Sequence, residues 1–75
     1  MTGLKYIIIE NNGLEFPILF HQCMQHNIVA SRIGGSVVSA GFWSGKTAYG
    51  ESVSLKLKSR PFDTDLIASA LRVSL

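Results

Sequence analysis

The sequence predicts an α+β domain in ββαββα order: a four-stranded, mainly antiparallel sheet with two helices on one face. Three observations carry this reading. Two turn signals, Asn11-Asn12-Gly13 and Ser44-Gly45-Lys46, are each flanked by apolar runs of strand length. The spacing of apolar residues changes from alternation to helical between His21 and Ile33. A last amphipathic segment opens on Pro61 with Asp63 and Asp65 behind it, the chemistry of a helix start.

Lys5 to Glu10 is rich in β-branched and aromatic residues and reads as the first strand; Leu14 to Phe20 follows the turn as its hairpin partner. There Leu14, Phe16, Ile18 and Phe20 alternate onto one face, and Pro17, which has no N–H to donate, places the strand at an edge or bulge. Met24, Ile28 and Val29 fit a short helix within His21 to Ile33, ended by Gly34-Gly35 as C-cap. Ser36 to Trp43 returns to strand, and Thr47 to Ser59 completes a second hairpin. In the closing helix Ser59 can cap, and Leu66, Ile67, Ala70 and Leu71 form one apolar face.

At 75 residues the chain is read as a single domain, 1–75. A domain of this size buries only about 60% of the surface its unfolded chain exposes. With one cysteine, Cys23, no intrachain disulfide can form, and no ligand set for a structural zinc is present. Charged residues are 16% of the chain and hydrophobic ones 47%, against about 25% charged in ordinary domains. That excess of apolar residues points to a homo-oligomer, with Phe16, Phe42 and Trp43 as interface candidates. The N-terminus lacks the pattern of a signal peptide, no apolar run approaches the roughly 20 residues of a membrane span, and an unpaired cysteine suits a reducing compartment. A cytoplasmic location follows as the expectation.

Net charge is +2, too mild to point to duplex DNA, but Lys46, Lys56, Lys58 and Arg60 crowd one stretch in which Glu51 is the only acid. Read as one strand, Tyr49 to Arg60 alternates strictly: Val53, Leu55 and Leu57 on one face, Ser52, Ser54, Lys56, Lys58 and Arg60 on the other. Neighbours on that face would stand about 6.5 to 7 Å apart, so three cations would form a row able to follow two or three phosphates. The row leads into the N-terminus of the last helix, a second feature that favours anions. Tyr49, Phe42 and Trp43 could stack on a base. A solvated outer face of a half-buried sheet has the same alternation, with edge lysines guarding against aggregation.

Other constellations are weaker. Gly41 to Thr47 has three residues between its glycines where a phosphate-binding P-loop has four, and a strand follows in place of a helix. His21, Cys23 and His26 supply too few groups for a zinc site or an oriented nucleophile; they read as a small core cysteine and two helix-surface histidines. Asp63 and Asp65 are accounted for by the helix dipole. No catalytic residues, metal ligands or cofactor are assigned, and the chain is read as non-enzymatic.

The combination of Lys5-Tyr-Ile-Ile-Ile-Glu-Asn-Asn-Gly-Leu-Glu-Phe-Pro-Ile-Leu-Phe20, Val37-Val-Ser-Ala-Gly-Phe42 and Tyr49-Gly-Glu-Ser-Val-Ser-Leu-Lys-Leu-Lys-Ser-Arg-Pro61, followed by Asp63 to Ile67, resembles a group of short proteins of unknown function encoded by tailed phages and prophages. The resemblance implies an accessory protein acting in the cytoplasm of an infected bacterium. It transfers no activity to any residue. Two functional expectations follow: sequestration of a phosphate-bearing small molecule, a nucleotide signal of host defence, through Ser52, Ser54, Lys56, Lys58, Arg60 and Tyr49; or occupation of a host defence or regulatory protein through Leu14 to Phe20 or the surface around Phe42 and Trp43.

Overall fold

In a computed structural model of the chain, which describes residues 3–73, strands β1 (Leu4–Asn11) and β2 (Leu14–Phe20) form the first hairpin. Asn12 and Gly13 both take positive φ, 55° and 81°, as the two-residue turn that matches strand twist requires. Helix α1 (His26–Ile33) begins after Met24, which the apolar spacing places in it, because residues 21–25 form a turn instead. The Met24 N–H donates to the His21 carbonyl and Lys5 Nζ to the Met24 carbonyl at 2.8 Å. Gly34 ends the helix at φ 83°, its N–H donating to the Ala30 carbonyl.

Strand β3 (Ser36–Trp43) pairs with β1, and β4 (Ala48–Tyr49) with β3, giving an antiparallel sheet in the order β2-β1-β3-β4. The fold is α+β, as the sequence predicts. A register shift between Ile8 and Ile9 makes Val38 the extra residue of a bulge on β3.

Successive residues of a strand face opposite ways, and β1 is buried on both sides. Ile7 and Ile9 pack with Phe20, Val29 of α1 and Ala40. Tyr6 and Ile8 pack with Trp43 and with Ile67 of α2 (Asp63–Val73). The helices therefore lie on opposite faces of the sheet, a correction to the one-face expectation. Four consecutive apolar residues, Tyr6 to Ile9, are the physical reason: a strand with no polar face needs cover on both sides.

The second correction concerns residues 47–59. They do not form one strand. After β4 the chain turns at Gly50 (φ 77°), and β5 (Glu51–Ser52) and β6 (Leu57–Lys58) make a separate two-stranded hairpin closed by a turn over residues 53–56. Leu55 and Leu57 pack from it onto the α1 side of the core. Gly41 permits the close passage of this segment: a Cβ there would stand 2.5 Å from the Tyr49 carbonyl oxygen.

Candidate functional site

The β5–β6 hairpin is built by its serines. Ser52, 1% exposed, places its hydroxyl within 3.3 Å of both the Leu55 N–H and the Ser54 hydroxyl, so it closes the turn from inside. The Lys56 N–H donates to the Val53 carbonyl, and Lys56 itself sits at φ 58°, a left-handed conformation unusual for a residue with a Cβ. The Ser59 N–H donates to the Gly50 carbonyl and fixes the base of the hairpin. A concavity of about 300 Å³ results, lined by Glu51, Ser52, Val53, Lys56, Leu57 and Lys58.

Three of the predicted site residues, Ser52, Lys56 and Lys58, thus meet at one concavity, though not as a row on a strand. The Lys56 and Lys58 side chains have no hydrogen-bond or ion-pair partner among the described residues. Ser54 contributes to the turn. Tyr49 lies outside the lining, half-exposed and stacked on Phe42 at 5.8 Å between ring centroids. Sequence reasoning missed Glu51 as part of the lining; its cross-strand pairing with Lys58 becomes visible only when the strand folds back on itself.

Arg60 departs most from expectation. Its guanidinium grips Glu15 of β2 bidentately, at 2.8 and 3.3 Å, donates through Nε to Asp63 Oδ1 at 2.9 Å, and lies 4.3 Å over the Phe62 ring. Asp63 is fully buried; its Oδ2 also accepts from the Arg60 backbone N–H at 2.9 Å and the Tyr6 hydroxyl at 2.7 Å. The bond that the Asp63 carboxylate accepts from the backbone three residues earlier, with Pro61 between, ties the turn before α2 to the first residue of that helix. It stands where the sequence predicts a cap by Ser59. Asp63 is therefore a connector as well as a balance to the helix dipole, and the Arg-Pro-x-Asp spacing was the available signal.

The electrostatics follow. Burial works to raise the Asp63 carboxyl, but the Arg60 backbone N–H, the Tyr6 hydroxyl, the neighbouring Ser39 hydroxyl and the Arg60 guanidinium outweigh it and hold its pKa below the usual carboxylate value. Ser39 Oγ is buried and stands outside hydrogen-bond alignment, so its effect is that of a nearby dipole. The hydrogen bond from Arg60 lowers Glu15. Burial first, then Asp63, pushes the Tyr6 phenol above its ordinary value of 10.0. Arg60 is shared between two carboxylates, and its partners define a structural lock joining β1, β2 and α2.

The expectations for Cys23 and the histidines also change. Cys23 is exposed, because it falls in the turn before α1. His26 is buried, with Nε2 2.9 Å from the Gly41 carbonyl and its ring edge-on to Phe20 and Phe42. Of the interface candidates, Trp43 is 4% exposed and belongs to the core, Phe42 is half-buried beside His26 and Tyr49, and Phe16 is 47% exposed on edge strand β2 next to Leu14 at 62%. Among the described residues, no helix is long and apolar enough to cross a membrane and no three potential metal ligands gather.

Comparison with protein-family models, curated proteins and solved structures gives no match for this chain.

Proposed function

We propose that this chain is a non-enzymatic binding protein that holds a phosphate-bearing small molecule, a nucleotide, on the β5–β6 hairpin. The observation that carries this reading is the pair of lysines, Lys56 and Lys58, which flank one concavity with no partner among the described residues, whereas Arg60 is neutralised by Glu15 and Asp63. Unpaired ammonium groups beside apolar surface suit a phosphate attached to a sugar and base. The phage resemblance suggests the setting, an accessory protein in the bacterial cytoplasm that sequesters a nucleotide signal of host defence, and the apolar composition suggests that it acts as a homo-oligomer. Isothermal titration against linear and cyclic nucleotides tests it. Saturable binding that disappears in the Lys56→Glu/Lys58→Glu double variant is expected; no heat at millimolar ligand removes the proposal.

A second reading, a module that occupies a host protein, is favoured by the exposure of Leu14 and Phe16 on β2. Under it the double lysine variant keeps its partner and Phe16→Glu loses it.

A further inference from the structure

The withdrawal of Arg60 from the basic stretch changes what the hairpin can bind. A row of three cations would suit a polyphosphate or a run of nucleic-acid phosphates. The charged side chains lining the concavity are instead two lysines and one glutamate, a net charge of +1. Glu51 stands opposite Lys58 in the ladder, is exposed, and forms no ion pair among the described residues. Its carboxylate accepts hydrogen bonds and repels additional phosphates. The volume, about 300 Å³, lies at the small end of ligand sites, which run from about 300 to 1,000 Å³. Val53, 81% exposed although apolar and β-branched, and Leu57 complete the lining with surface suited to a sugar or base.

Building on the nucleotide reading above, we infer that the hairpin selects a nucleotide carrying a single phosphate over a polyphosphate. Lys56 and Lys58 hold the phosphate and Glu51 accepts a ribose hydroxyl. The phosphate can be a cyclic diester or a terminal monoester; the shared feature is one phosphate and a free ribose 2′-hydroxyl.

The test is a titration at fixed ionic strength with 3′,5′-cyclic AMP, its 2′-deoxy analogue, AMP and ATP, using the wild type and Glu51→Gln. The expected pattern is cyclic AMP or AMP binding about tenfold more tightly than ATP, the scale set by two or three extra like-charge contacts in a wet site. Whichever of the two binds more tightly identifies the diester or the monoester. Glu51→Gln should tighten ATP most, tighten the 2′-deoxy analogue slightly by removing one like charge, and narrow the advantage of cyclic AMP over that analogue. ATP binding most tightly, with no response to Glu51→Gln, overturns this inference and leaves the nucleotide reading standing. Failure of all four ligands, with other nucleotides silent too, removes the underlying reading and this one with it. Because Glu51 is exposed, an unchanged urea midpoint for Glu51→Gln confirms that the comparison is between folded proteins.

Discussion

Asp63 has more at stake than any other single residue, because a fully buried carboxylate serves three donors at once. Asp63→Ala leaves the Arg60 N–H, its Nε and the Tyr6 hydroxyl unpaired, and a loss of about 3–5 kcal/mol is expected. Set against a total of roughly 0.05–0.15 kcal/mol per residue for a small domain, that brings the chain near unfolding. Tyr6→Phe removes one charge-assisted bond and should cost about 1.5–3 kcal/mol by urea melts. The same groups set the acid limit. Asp63 and Glu15 have folded pKa values below their unfolded ones, so the unfolded state binds more protons. Their stabilisation is complete above the unfolded carboxyl range of about 4 and is lost as pH falls through the folded values. Asp63→Asn and Glu15→Gln should each flatten the acid limb of a plot of urea midpoint against pH. A limb unchanged in both variants rejects this assignment. Tyr6 acts at the other end: its pKa is raised on folding, and its contribution persists below about 10 and fades as pH climbs through the folded value.

At the scale of elements, α1 is held to the sheet by His26, whose burial, with a smaller push from Lys5, lowers its pKa despite the opposing Gly41 carbonyl. The unfolded histidine then takes up protons more readily than the folded one. Stability should be full above about pH 6.5 and fall as the solution acidifies through the folded value, a step separate from the carboxylate limb. His26→Gln should abolish that step; a step that survives in this variant refutes the role given to His26. The β5–β6 hairpin makes a different demand. Lys56 holds a left-handed conformation that costs about 1–3 kcal/mol for residues other than glycine. Lys56→Gly relieves it, less roughly 0.5–1 kcal/mol for the looser unfolded chain. Urea melts should show a gain of about 1 kcal/mol while titration shows weaker nucleotide binding. Equal binding by the variant detaches Lys56 from the site.

The molecule as a whole covers both faces of β1 with single layers, a thin arrangement for 75 residues. Leu14 and Phe16 remain exposed on edge strand β2, while Pro17 lacks the N–H needed for full strand addition there. Self-association through side chains of this face is the expectation for the intact protein. Native mass spectrometry should find an oligomer, and Phe16→Glu should shift it to the monomer mass with little change in the far-UV spectrum. A wild-type monomer at micromolar concentration would leave that face without a copy to meet.

The α+β class, the first hairpin, the glycine end of α1 and the proline-led start of α2 were legible in the amino-acid sequence, because each rests on interactions within a few residues: turn φ angles, alternation, caps. The hairpin within residues 47–59 was not. Alternation at period two looks the same in one long strand and in two short ones folded together, and Lys56 takes positive φ without the glycine that would have marked the turn. The engagement of Arg60 was hidden for a related reason: its acceptor Glu15 lies 45 residues away in the sequence. Tyr6 and Asp63 are 57 residues apart. Local sequence thus determined the elements whose turns and caps lie within a few residues. Packing of α2 against the sheet decided which cation is consumed in holding the fold and which two remain facing solvent, since a charge pairs with whatever the tertiary structure brings within a few ångströms of it.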